Sequence, residues 1–302
     1  MKISLRNGIA AGVVVAAAGV LVAITNYMDN HRVIEIDCQT MVTMNSSLSS
    51  IEADLTARLE AEEVATVIGR IDAISLSSLY ELQEARALYE NASNGAREYI
   101  DASRLIEAEN TYAELEQQRA ELLADAIAQG DLNGILDYAE CDVRNSGDVY
   151  LDSLVQELIQ NAVTPEMCRS EQLRACYDYM VRNYDYAYNY NYSYGSGGKS
   201  VAWATAFLRD GYGACNNWSS AFMYVARSLG YEVDLYYGST ATSRGGSVEH
   251  YWPVVRIEGT EYVFDPQVEG DITRRTGVIS YKRFGLTGAD ADGKYYFNRI
   301  VE

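Results

Sequence analysis

The spacing of apolar residues divides the 302-residue chain into three stretches. The first is an unbroken apolar run from Gly8 to Ile24, preceded by Lys2 and Arg6. At about 17 residues it is near the lower limit for crossing a bilayer, where roughly 20 is usual, and above the roughly 7–15 of a signal-peptide core. No good small-x-small cleavage site follows. Ala23-Ile-Thr25 is the nearest and fits poorly, and Cys38 lacks a small-residue lipobox. The pattern therefore predicts an uncleaved signal anchor, a transmembrane helix within residues 1–30, with a removed signal as the alternative. Lys2 and Arg6 set the N-terminus inside, so the rest of the chain is expected outside the cytoplasm, on a single-pass membrane anchor or secreted after cleavage.

From Asn45 to Asp142 the chain is rich in Ala, Glu and Leu, has no proline, and reads as helix. Breaks are expected at Gly69, at Asn94-Gly95 and at Gly130-Asp131. Leu105, Ala108, Tyr112, Leu115 and Leu122 follow heptad spacing, with Glu107, Glu109, Glu114, Glu116 and Glu121 on the other faces. The pattern predicts an antiparallel helical hairpin with a solvated acidic face, a stalk over residues 31–145.

Beyond residue 146 the periodicity becomes mixed. A helix is expected from Val149 to Ile159, and Thr164-Pro165-Glu166 signals the start of another, with Leu173, Cys176, Tyr177, Met180 and Tyr184 as its apolar stripe. Tyrosine then occupies every second position from Tyr184 to Tyr194, which is an extended pattern. Such a segment suits either an aromatic platform or a long surface loop running into Gly195-Ser-Gly-Gly198. A helix from about Ser200 to Arg209 should turn Trp203 and Phe207 inward. After the glycine-broken loop Gly211-Tyr-Gly-Ala, Cys215 opens a helix whose stripe is Trp218, Ala221, Phe222, Val225 and Leu229, stopped by Gly230. Alternation from His250 to Ile257, a Glu258-Gly-Thr-Glu261 turn, and Tyr262-Val-Phe-Asp265 ended by Pro266 read as a hairpin. Asp290-Ala-Asp-Gly293 lacks the remaining ligands of a calcium loop and reads as a tight turn.

Composition narrows the function. A net charge of −19 excludes a nucleic-acid partner, because a phosphate backbone needs a basic face. Five cysteines leave one unpaired if the rest form two bridges. Cys215 is the expected free one, with Cys141 bridged to Cys168 or Cys176.

Cys215 at a helix start lies where unpaired N–H groups favour an anion. Only two histidines occur, and His31 stands beside the N-terminal apolar run, so His250 is the available base. The hairpin brings Asp265 beside the start of the His250 strand. A helix-start thiol, a strand-start imidazole and a strand-end carboxylate form a nucleophile, a base and the group that orients the base.

These residues stand in Gly213-Ala-Cys215, His250-Tyr-Trp252 and Phe264-Asp265-Pro266, and the segment from about Glu171 to Gln267 resembles the transglutaminase-like superfamily. The resemblance implies a papain-like α+β domain over residues 146–302, with a central Cys-bearing helix packed on an antiparallel sheet. It also implies thiol acyl chemistry on amide bonds by Cys215, His250 and Asp265, without cofactor or metal. The expected substrates are peptides or proteins, cell-wall peptides among them, and hydrolysis and amine transfer remain open. The alternatives are a non-catalytic binding module of the same fold and a membrane-tethered scaffold.

Overall fold

The computed structural model describes residues 38–187, 198–242 and 245–302. The apolar run Gly8–Ile24 lies outside them. Among the described residues no helix is long and apolar enough to cross a membrane. Contacts group the chain into two units, one ending at Glu116 and one beginning at Gln117.

In the first unit, α1 (Cys38–Gly69) packs on α2 (Leu79–Asn91) and on the single-turn α3 (Asn94–Arg97). The core is built from small side chains at helical spacing. Ala57, Ala61, Val64 and Ile68 share it with Leu82, Ala85 and Ala96, and with Leu105 and Ala108 of α4 (Ser103–Gln129). Arg86 donates twice to Glu109, closing α2 on the start of α4. The chain breaks at Gly69, before Asn94 and between Gln129 and Leu132, where glycine and Asn/Asp signals stand. The heptad does not run to the end of α4. Leu122 is 45% exposed and Leu123 is buried in its place. An α-helix drifts against a strict seven-residue repeat, and Leu123 and Ala126 serve the second unit's core.

Composition suggested a limit at 145/146, whereas contacts set it at 116/117. Leu123, Ala126, Ile135, Leu136 and Ala139 all belong to the core of the second unit, the last three on or just after α5 (Leu132–Tyr138). That unit continues with α6 (Val149–Ala162) and α7 (Arg169–Asn183). The start of α7 lies beyond Pro165, because the Glu171 side chain accepts from the Cys168 backbone and Asp137 accepts from the Ser170 backbone, which fixes the first turn there. Leu173, Cys176, Tyr177 and Met180 are fully buried, as their spacing implies.

The short β1 (Asp185–Tyr186) runs parallel to β2 (Tyr212–Gly213), with α8 (Gly198–Asp210) between them. Tyr188, Tyr190, Tyr192 and Tyr194 lie outside the described residues. Next come α9 (Cys215–Ser228), β3 (Val233–Ala241), β4 (Ser247–Ile257), β5 (Thr260–Phe264), α10 (Pro266–Thr276), β6 (Phe284–Leu286), the single-turn α11 (Gly288–Ala291) and β7 (Tyr295–Ile300). The five antiparallel strands are ordered β6-β5-β4-β3-β7.

The α9 helix is central. It touches β3, β4, α6, α7, α8 and α10. Every residue from Asn217 to Ala226 is buried, so the apolar stripe expected from spacing is only part of a helix enclosed on all sides. One core lies between the helices and one face of the sheet, where Trp218, Phe222 and Phe207 meet Leu235, Val255 and Phe264. A smaller core covers the other face with Tyr236, Trp252, Val254, Val263 and Leu286.

Cys141, Cys168, Cys176 and Cys215 are unbridged, so the expected Cys141 link to Cys168 or Cys176 is not formed. Cys176 points into the helical core, while Cys141 and Cys168 are exposed. Gly238 pairs with His250 across β3 and β4, and a Cβ there would collide with the Tyr296 backbone carbonyl of β7. That atom belongs to a paired strand and cannot step aside. Gly238→Ala is therefore expected to cost about 1–3 kcal/mol, the usual range for overpacking, measured by urea unfolding. An unchanged midpoint would show that β7 does not approach β3 as described.

Candidate active site

The backbone around Cys215 is shaped by small residues and one buried amide. Gly213 lies under Asn217, whose Cβ a side chain at 213 would meet at 2.6 Å. The Asn217 carbonyl oxygen accepts from the Ala214 N–H at 3.1 Å, and its NH₂ donates to the Trp203 carbonyl at 3.0 Å. Asn217 thus caps α9 and ties it to α8, leaving Cys215 as the first helical residue, partly exposed and at the end where unpaired N–H groups favour negative charge. Ser219 donates to the Tyr251 carbonyl at 2.7 Å, locking this turn of α9 to the strand that carries His250.

His250 is 3% exposed. The hairpin differs in detail from its sequence reading. β4 begins at Ser247, so His250 is inside the strand, and the turn is the two residues Glu258 and Gly259, both with positive φ, a tight hairpin geometry. β5 ends at Phe264, and Asp265 leaves the sheet to cap α10, with Pro266 in the first turn. The carboxylate thereby reaches back under β4. His250 Nε2 and Asp265 Oδ2 are 2.7 Å apart and both groups are buried. The Cys215 side chain lines the same cleft as this imidazole and helps to hold its proton. The structure brings together all three residues that the sequence singled out.

Asp265 is held on every side. Tyr295 donates its hydroxyl to Oδ2 at 2.7 Å, and the Val268 N–H donates to Oδ1 at 3.0 Å. Tyr177 donates to the backbone carbonyls of Asp265 and Arg283, each at 3.1 Å. Burial, reinforced by the Asp265 charge, pushes the Tyr295 hydroxyl well above its usual range, so it remains a donor. Tyr177 was legible only as a core residue of a helix stripe, and Tyr295 carried no signal, because its role requires β7 to lie beside β3. A second buried carboxylate, Glu269 of α10, accepts from the N–H groups of Ser280, Tyr281 and Arg283 and from the Ser280 hydroxyl, fixing the loop that carries Arg283.

Burial alone would drive His250 toward its neutral form. The Asp265 carboxylate and the hydrogen bonds to Asp265 and Cys215 outweigh it and hold the imidazole up, at about 10. Cys176 makes the contrast: burial pushes that thiol up to about 12, which keeps it protonated and inert. The imidazole and Cys215 open on a cleft of about 950 Å³ lined also by Tyr186, Gln267, Arg275 and Arg283. Among the described residues no cluster of His, Cys, Asp and Glu side chains is arranged to hold a metal ion.

With this geometry in place, comparison with known proteins gives one family match. Residues 152–266 match the transglutaminase-like superfamily, and the chain carries a transglutaminase-like domain there. A solved structure from Cytophaga hutchinsonii, described provisionally as a cysteine protease, aligns with 51% of this chain at 15% identity and a TM-score of 0.29. The alignment spans about half of that protein, 53% of its length. No curated protein matches the sequence.

The raised pKa of His250 gives a stability prediction. The folded protein keeps a proton that the unfolded chain releases near 6.5, so the pair's contribution is complete below that pH and is lost as pH rises toward about 10. Urea unfolding of wild type and His250→Gln across this window should show the wild-type advantage shrinking with pH. A constant difference would mean that the buried imidazole is uncharged.

Proposed function

We propose that this protein is a thiol acyl enzyme in which Cys215 is the nucleophile, His250 the proton carrier and Asp265 its orienter. The observation that carries the reading is the buried imidazole held by Asp265 at a cleft that the Cys215 thiol also lines. The Cys215 sulfur attacks an amide carbonyl carbon and forms a C–S bond, with the oxyanion facing the Cys215 N–H at the start of α9. As the C–N bond breaks, the imidazolium gives its proton to the departing amine. Water or a second amine then attacks the thioester, its proton passing to His250, and the thiolate leaves. Water yields a hydrolase and an amine yields a transferase, both within the scope of the transglutaminase-like domain. The substrates are peptides or proteins, cell-wall peptides among them.

The N-terminal run Gly8–Ile24 with Lys2 and Arg6 supports a membrane anchor, and the acidic helical region after it supports a spacer between that anchor and the enzyme. On this reading catalysis takes place outside the cytoplasm.

The test follows ammonia release, amine incorporation and peptide cleavage together on peptide and cell-wall substrates. Cys215→Ala should lose about a thousandfold or more in the active channel. Asp265→Asn should lower kcat more than it changes KM, because it leaves the thiol in place but alters the partner of the imidazole. Equal rates for wild type and Cys215→Ala in every channel would overturn the enzyme reading in favour of a binding module.

A further inference from the structure

The cleft beside Cys215 is basic in a strongly acidic protein. The chain carries 43 Asp and Glu against 24 Lys and Arg, yet Arg274, Arg275 and Arg283 line the same cleft as Cys215 and His250. Two acidic residues line it as well, and both have partners. Asp271 accepts from Arg274 at 2.8 Å and from Gln267 at 2.8 Å, while Glu249 acts on the neighbouring Tyr237 hydroxyl, which it holds above its usual range. Arg274 is also committed, reaching the Tyr184 carbonyl at 3.4 Å and lying 3.7 Å from Asp185.

The other two arginines are not satisfied. Arg275 donates Nε to the Asp271 backbone carbonyl at 3.1 Å and has no carboxylate partner among the described residues. Arg283 lies with its guanidinium over the Tyr295 ring, 5.7 Å from the centroid, and donates Nη1 to the Lys282 carbonyl at 3.2 Å. Its Nε is buried with no acceptor among the described residues. Leaving a charged donor buried and unpaired costs stability, and the guanidinium fork matches a carboxylate in two-point geometry. The backbone holding Arg283 is fixed by Glu269 and Tyr177, so the fork is presented from a rigid loop.

The long-range field of the acidic chain repels anions, but it is screened over about 10 Å at ordinary ionic strength. Among the residues lining the cleft with Cys215, the cations without a carboxylate partner are Arg275 and Arg283. We propose that Arg275 and Arg283 form a carboxylate-binding subsite, so that the enzyme selects peptide substrates bearing a carboxylate next to the amide that Cys215 attacks. This rests on the thiol-enzyme reading, and it names the substrate class that the triad alone leaves open.

Two small alkylating agents test the charge selection without a known substrate. Iodoacetate is a carboxylate and iodoacetamide is its neutral counterpart, and both alkylate a thiolate with loss of iodide. Rates at Cys215 are read by mass spectrometry on the full chain at neutral pH, with exposed Cys141 and Cys168 as internal references. The iodoacetate-to-iodoacetamide ratio should be higher at Cys215 than at the reference thiols. It should fall by about threefold or more in Arg283→Gln and in Arg275→Gln, the size of one partly screened charge interaction. Arg275 is exposed on α10, so its variant keeps the test valid if Arg283→Gln fails to fold. A fast-reacting Cys215 whose ratio is the same in the arginine variants would overturn the subsite and leave the thiol-enzyme reading standing. A Cys215 no more reactive than Cys141 toward either agent would overturn both.

Discussion

The second unit is built around a buried carboxylate. Taking an ionised Asp265 out of water costs several kcal/mol unless donors replace its hydration. Here they come from three different elements: the imidazole of β4, the Tyr295 hydroxyl of β7, and the Val268 N–H at the start of α10. The carboxylate is fully buried and the ring beside it is 3% exposed, so the pair stands only if all three elements are in place. The antiparallel order of the sheet meets that requirement, because β3 lies between β4 and β7 and the bare Gly238 lets β7 close up against β3.

The thiol is set by a separate group of contacts. α9 is enclosed by helices and sheet, so its first residue has little freedom, and Asn217 and Ser219 tie that first turn to α8 and to β4. A cysteine on a core stripe is inert, as Cys176 shows, because burial without a cation keeps the proton on sulfur. Cys215 differs by standing at a helix N-terminus, partly open to a cleft that it shares with the His250 imidazole. The two cysteines differ in environment and not in composition.

The same packing explains how an acidic protein can present a basic cleft. Most of its excess negative charge lies on solvated helical surfaces, where screening limits its reach. The guanidinium groups near Cys215 are carried by α10 and by the loop that Glu269 fixes, both of which follow directly from the Asp265 cap. The element that holds the imidazole therefore also carries guanidinium groups into the cleft.

Much of this was legible locally. The buried faces of α7, α8 and α9 follow from apolar spacing, the helix breaks from glycine and asparagine, and the triad from a helix-start cysteine, the one histidine in reach and an Asp-Pro at a strand end. These features depend on side chains a few residues apart, and a sequence records that spacing directly. The border between the units, the exchange of Leu122 for Leu123, the unbridged cysteines, the anchoring of Asp265 by Tyr295 and Tyr177, and the gathering of Arg275 and Arg283 at the cleft could not be read in the same way. Each depends on which distant segments become neighbours, Tyr177 and Asp265 being 88 residues apart. The sequence determined which three side chains meet at the cleft and the elements that carry them. Only the tertiary structure decided what surrounds them, because burial, hydrogen-bond partners and local charge arise where separate elements pack together.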